Sequence, residues 1–225
     1  MATFVLVPGA GGHGAYWNRL VPALEQRGHA AVAVDIPEHE PGSHLADWAV
    51  HVERAAHGRG EIVLVAQSLG GFLAPTVRLP VRMIVLLNAM IPLPGETPDG
   101  WWGNTGSGAA MTAAAEAAGR DPAFDVHSYF LHDLDDEAVA QMMAAAREPA
   151  ESAMADSCDF KNWPAVPIKV VVGRDDRFFP ADFQCRLAQD RLGLGADVLP
   201  GGHLTALANP EGLADLLDRY AAELE

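Results

Sequence analysis

The chain has 225 residues, 49% hydrophobic and 20% charged, the size and balance of one globular domain with room for a modest insertion. Against 15 Lys and Arg stand 30 Asp and Glu, and the net charge of −15 argues against nucleic acid as a partner, because phosphates would be repelled. No apolar run is long enough to span a bilayer, no basic leader precedes the first apolar run, and Cys158 and Cys185 are too few for a disulfide framework. The expectation is a cytoplasmic protein with reduced thiols and no membrane partner.

Residues 3–7 form a continuous apolar run followed at once by Pro8-Gly9-Ala10-Gly11-Gly12-His13-Gly14. A helical pattern with Trp17, Leu20, Val21 and Leu24 on one face stops near Gly28, and a second apolar run, 30–34, ends at Asp35. Continuous rather than alternating runs suit strands buried on both faces, as in a parallel sheet covered by helices. The spacing then predicts a helix over 45–56, a strand over 62–66, a helix over 69–79 and a strand over 83–87. After Asn88 this rhythm breaks. Residues 92–163 are rich in Pro, Gly, Ala and Met, with Trp101-Trp102 leading into a glycine-rich loop through Gly108. Helices are predicted there over 109–118, 135–147 and 149–156, with no strand. The strand pattern resumes at 168–172, followed by a helix over 181–191, a strand over 196–199 and a last helix over 210–222. The fold class expected is α/β: about six mainly parallel strands flanked by helices. A core of 1–91 and 164–225 would be interrupted by a helical cap insertion, 92–163.

Gly9 to Gly14 satisfies G-x-G-x-x-G after a strand, and Asp35 ends the next strand where a ribose-binding carboxylate would belong. Three features weigh against a dinucleotide. Pro8 is awkward where that motif continues the strand, Tyr16 and Trp17 are bulky where a pyrophosphate must approach, and no tyrosine has a lysine four residues on. The same turn of small residues, with its backbone N–H groups free, could instead bind an oxyanion beside a nucleophile.

Such a nucleophile is offered by Val63-Leu64-Val65-Ala66-Gln67-Ser68-Leu69-Gly70-Gly71, an apolar strand running into a serine with small residues two before and two after it. A nucleophile elbow needs that pattern, because the strained strand-to-helix turn brings those two positions against neighbouring backbone. Alone the pattern is weak, since Ser68 is also a good helix cap. The C-terminal third supplies its partners. A strand at 168–172 leads into Gly173-Arg174-Asp175-Asp176, and a later one leads into Pro200-Gly201-Gly202-His203. In a parallel sheet the loops at the carboxyl ends of strands share one rim, so Ser68, an acid of that pair and His203 can converge. Serine needs a base to attack, and the base needs an acid to orient it. Asp175 could be that acid, but the expectation for it is a surface pair with Arg174 or Arg177, and His203 could be an ordinary loop histidine.

With those residues in place the chain resembles the α/β-hydrolase fold superfamily, and within it the small serine esterases of the plant methylesterase and hydroxynitrile lyase group. The resemblance rests on Pro8-Gly9-Ala10 with Trp17, Ala66 to Gly71, the Gly173/Asp176/Pro180 spacing followed by Phe183-Gln184, and Gly202-His203. It implies that Asp176 is the acid, being four residues before Pro180, and that the amides of Ala10 and Leu69 form the oxyanion hole. Some members carry the acid after an earlier strand, but Leu87-Asn88-Ala89 offers no carboxylate. The chain departs from the family in having Pro8 where His is common, and Leu204 where the lyases have a lysine. The latter disfavours cyanohydrin cleavage.

The expected function is therefore a serine hydrolase, without cofactor or metal, acting on a small, largely apolar ester as its small-molecule partner. Two rivals remain: a receptor-like protein that binds a ligand with negligible turnover, and a lyase or cofactor-free oxygenase using the His–Asp pair as base. His13, Trp101, Trp102, Phe130 and Met142 are the candidate pocket residues, together with Met143. His13 could instead be an ordinary loop histidine, and the others could pack the cap helices on the core. His132-Asp133 suggests a metal or acid–base pair, but with no third ligand at good spacing a structural hydrogen bond is the expectation.

Overall fold

The computed structural model describes residues 1–38, 40–145 and 151–224. Strands β1 (Thr3–Val7), β2 (Ala30–Ala33), β3 (Ile62–Gln67), β4 (Val81–Leu87), β5 (Ile168–Gly173) and β6 (Asp197–Leu199) build one sheet in the order β2-β1-β3-β4-β5-β6. Every neighbouring pair is parallel. The chain winds outward from β1 in both directions, and the loops after β1 and β3 therefore face each other across the crevice where the strand order reverses.

Helices α1 (Leu20–Gln26) and α2 (Leu45–Ala55) fill the first crossovers. Between β4 and β5 come α3 (Pro98–Thr105), α4 (Ser107–Ala117), α5 (Asp136–Ala145) and α6 (Glu151–Met154). Helices α7 (Ala181–Leu192), α8 (Thr205–Ala208) and α9 (Pro210–Ala222) complete the chain. The continuous apolar strands are explained by the two layers. Leu64, Ala66, Ile84 and Leu86 face a core shared with Trp48 and Val52 of α2 and Phe183 of α7. Their neighbours Val63, Val65, Met83 and Val85 face the opposite core, shared with Leu20 and Leu24 of α1 and Leu213 and Leu217 of α9. Both faces of the central strands are dry, which is why period-two alternation is missing from them.

Two local expectations fail for identifiable reasons. No α-helix follows Ser68. Residues Ser68–Phe72 form a tight 3-10 turn that continues through bonds from Leu73 N–H to Gly70 O and Thr76 N–H to Leu73 O. Pro75 has no N–H to give the carbonyl four residues back, and its ring would press on that turn. Conversely, the expected glycine-rich loop is helical: α3 runs through Trp101 and Trp102 to Thr105, its start capped by Thr97 accepting from Gly100 N–H, with Pro98 in the first turn. The predicted helices over 135–147 and 149–156 correspond to α5 and α6 in their described parts; Arg147 and Pro149 lie outside the described residues. Among the described residues no helix is long and apolar enough to cross a membrane. Cys158 is buried and Cys185 half-buried, both unpaired as disulfides.

Candidate active site

At the end of β3 the backbone turns abruptly: Ser68 has φ 49°, a left-handed conformation that costs a residue with a side chain roughly 1–3 kcal/mol and clusters at functional sites. The turn is tight enough that a Cβ on Gly70 would sit 2.5 Å from the carbonyl oxygen of Pro8. Ala66 occupies the other small position, fully buried at the end of β3. This geometry lifts the Ser68 hydroxyl to the carboxyl end of the sheet.

Two further strand ends bring partners to it. His203 follows β6, and its Nε2 lies 3.0 Å from Ser68 Oγ. Its Nδ1 lies 2.8 Å from Asp176 Oδ2 in the turn after β5. Asp176 is otherwise saturated. Its Oδ1 accepts from the N–H groups of Phe178 and Phe179, both at 2.9 Å, and Oδ2 accepts from Gln184 Nε2 at 3.2 Å. An acceptor held on that side fixes the tautomer with Nδ1 protonated, leaving the Nε2 lone pair toward the serine. Asp175 points elsewhere, its carboxylate accepting from the Arg174 guanidinium and from the Gly201 amide; the first holds its carboxyl below the usual range. The alternative acid of the pair is thus engaged at the surface.

Asn88 holds these strand ends together, a role the sequence reading did not give it. It is fully buried at the end of β4, with φ 45°. Its Oδ1 accepts from Gly173 N–H at 2.6 Å, while Nδ2 faces the carbonyls of Gly202 and His203 and the Thr205 hydroxyl at 3.0–3.1 Å. One side chain therefore ties the acid strand to the histidine turn. An uncharged polar residue closing an apolar strand was the available signal, since such a group must find partners when buried.

The rings of Phe130, Phe178 and Phe179 surround the His203 imidazole, with centroids 5.0–5.2 Å away. Over Ser68 and His203 opens a cavity of about 250 Å³, walled by the Pro8–Gly11 loop, His13, Tyr16 and Leu204 on the core side. Phe130, Leu131, Met142 and Met143 close it from the segment between β4 and β5. Of the candidate pocket residues, His13, Phe130 and Met142 reach the cavity together with Met143. Trp101 and Trp102 do not. Trp101 is fully buried in the core beside Phe179 and Phe183, with its indole N–H on the Ile91 carbonyl, and Trp102 packs on Phe178 and Phe179. Helix α3 lays both rings on the sheet layer, behind the phenylalanines that touch the histidine. His13 also caps the 3-10 turn Gly14–Trp17, accepting from Ala15 N–H.

Ala10 lines the cavity near Ser68, and Leu69 follows the serine into the turn. The His132-Asp133 pair lies behind the histidine turn. Asp133 Oδ2 accepts from Gly202 N–H at 2.6 Å. Burial pushes the His132 imidazole below its ordinary pKa despite neighbouring Asp133, favouring its neutral form.

A hydroxyl facing a ring nitrogen, with the ring held from behind by a carboxylate, is chemically equipped to attack an electron-poor carbon. The sequence model described as the alpha/beta hydrolase family matches residues 4–216. The chain belongs to that family. A pyrethroid hydrolase from Sphingobium wenxiniae is 34% identical over 107 residues, covering 42% of this alpha/beta hydrolase chain and 38% of that enzyme. Polyneuridine aldehyde esterase superposes with a TM-score of 0.78 at 17% identity, over 98% of this chain and 99% of its own. A methylesterase from Arabidopsis gives 0.76 at 16% identity, over 99% and 100%. At such identities the superpositions speak for the fold.

Proposed function

We propose that the protein is a serine carboxylesterase that cleaves a small, largely apolar ester through an acyl-enzyme on Ser68. The observation that carries this reading is the continuous hydrogen-bonded chain from Ser68 Oγ through His203 to Asp176, opening into an apolar cavity. As Ser68 Oγ attacks the carbonyl carbon, its proton passes to His203 Nε2, and Asp176 stabilises the imidazolium that forms. The amides of Ala10 and Leu69 receive the oxyanion, each such donor being worth roughly 3 kcal/mol of barrier. Collapse breaks the bond to the alcohol, which takes the proton from His203. Water then attacks the acyl carbon by the same route and frees Ser68. No cofactor or metal enters this scheme.

The cavity volume, about 250 Å³, lies below the ~300–1,000 Å³ of pockets for drug-sized ligands and supports a small substrate. Residues 92–163 act as the cap in this reading: Phe130, Leu131, Met142 and Met143 exclude water and select the acyl or alcohol chain. Relatives named as a pyrethroid hydrolase, an esterase and a methylesterase support an ester as the bond cleaved. A cytoplasmic site of action agrees with unpaired Cys158 and Cys185. The test is a fluorophosphonate probe read by intact mass. One adduct on Ser68, abolished in Ser68→Ala, is expected together with turnover of short p-nitrophenyl esters. An unlabelled wild-type protein would sink the reading and favour a ligand-binding role.

A further inference from the structure

We infer that Glu38 is a positioning residue, holding the glycine loop after β1 so that the Ala10 amide is the one presented to the oxyanion. The inference rests on the acyl-transfer reading above. Glu38 sits on the segment that follows β2 and is 1% exposed. Burying a carboxyl group without compensation is costly, and among the described residues no cation pairs with this one. What it does meet is the loop: Glu38 Oε2 accepts from Gly11 N–H at 2.7 Å.

The rest of that loop is stitched to the same segment. Ile36 N–H donates to Gly12 O at 2.7 Å, Gly14 N–H to Asp35 Oδ1 at 2.7 Å, and Gly12 N–H turns back to Gly9 O at 3.1 Å. Gly11 and Gly12 have φ of 97° and 61°, and a Cβ on Gly12 would meet Ile36 O at 2.4 Å and Glu38 Cγ at 3.0 Å. The loop thus rests directly on the Glu38 stem. With the Gly11 and Gly12 amides engaged, the Ala10 amide is left without a protein acceptor among the described residues, in a loop that lines the cavity over Ser68.

Two consecutive left-handed glycines are conformationally permissive, so a loop built on them needs an external tether to hold one arrangement. Glu38 is that tether. Removing its acceptor releases the Gly11 amide, which then competes with Ala10 for the substrate oxygen and lets the loop drift. Preorganised donors lose their advantage when they must reorganise during the reaction. Desolvation pushes the Glu38 carboxyl up to about 8, with the Gly11 hydrogen bond acting against it. Near neutral pH the group is therefore largely uncharged, so it adds little repulsion toward a developing oxyanion, and glutamine is a fair mimic of it.

The experiment compares the wild-type protein with Glu38→Gln and Glu38→Met on p-nitrophenyl butyrate at pH 7, with kcat expressed per site titrated by a fluorophosphonate. Normalising to titratable sites counts folded molecules only. Glutamine should keep kcat within about threefold of wild type, while methionine, which keeps the volume but has no comparable acceptor, should lower kcat by about 10- to 100-fold with KM changed less than about threefold. Glu38→Met with wild-type kcat per titrated site would overturn the inference, as would glutamine and methionine lowering kcat equally. A wild-type protein that neither hydrolyses the ester nor labels on Ser68 overturns the esterase reading and this inference together. An active wild type with an unaffected methionine variant overturns the inference alone.

Discussion

Below the cavity, His203 and Asp176 are held by buried, multiply satisfied hydrogen bonds, whereas the polar ties of α5 above it run through exposed side chains. Asp176 has four donors and Asn88 joins three strand ends inside the sheet layer. Over the cavity, α5 is tied to the core through the ion pair of Arg19 with Asp135 at 2.7 Å and a bond between Asn18 and Gln141. Exposed pairs of this kind contribute only ~0–1 kcal/mol, because water competes for both partners. Buried polar networks are high-stakes by comparison, since losing one member leaves others unsatisfied in a low dielectric. The lower wall therefore fixes most of the geometry, and α5 over the cavity can vary with little effect on it.

If that division holds, the largest effect on activity comes from the lower wall. Asp176→Asn keeps the shape but lets the ring adopt the wrong tautomer, and kcat should fall by about 10⁴-fold while the fold is retained. Steady-state kinetics on p-nitrophenyl butyrate, with circular dichroism as the control, measure this. A fall of less than tenfold would mean that another group orients His203.

Asn88→Ala tests the same wall through stability. It leaves the Gly173 N–H without its acceptor, while the Gly202 carbonyl keeps the Thr205 hydroxyl and the His203 carbonyl keeps Gln67 Nε2, at a cost of about 1–3 kcal/mol. Urea denaturation should show a lower midpoint at unchanged slope. An unchanged midpoint would show that the strand ends are held by packing alone.

The same division separates what could be read in the sequence from what could not. The strands, the serine turn and the order of serine, acid and histidine were legible because a parallel sheet dictates both the apolar runs and the rim on which its loops meet. Ala66 and Gly70 carried positional information, since the tight turn at Ser68 requires small residues there. Asn88 and Glu38 escaped notice for the opposite reason: a lone asparagine or glutamate has no periodicity, and its value lies in partners 85 and 27 residues away. The segment between β4 and β5 was least legible. Its Ala- and Gly-rich helices lack a strong apolar stripe, so the pattern could not tell that Trp101 faces the sheet core while Phe130 faces the histidine.

A hydrogen bond from the segment between β4 and β5 to the histidine turn sharpens the division. Asp133, from that segment, accepts the Gly202 amide immediately before His203. Its replacement by alanine frees that amide, but the histidine turn keeps the Asn88 bonds and the pairing of Gly201 with Asp175. The expected loss is consequently modest: about tenfold in kcat, with KM nearly unchanged and Asp133→Asn recovering most of it, because an amide oxygen accepts the same bond. A variant such as Met142→Ala, which only reshapes the upper wall, should instead act on KM and on the preferred chain length across a series of p-nitrophenyl esters. If Asp133→Ala behaves like Met142→Ala, that segment contributes shape alone. If it lowers kcat, the segment also helps to aim His203, and the two walls are coupled through the Gly202 amide.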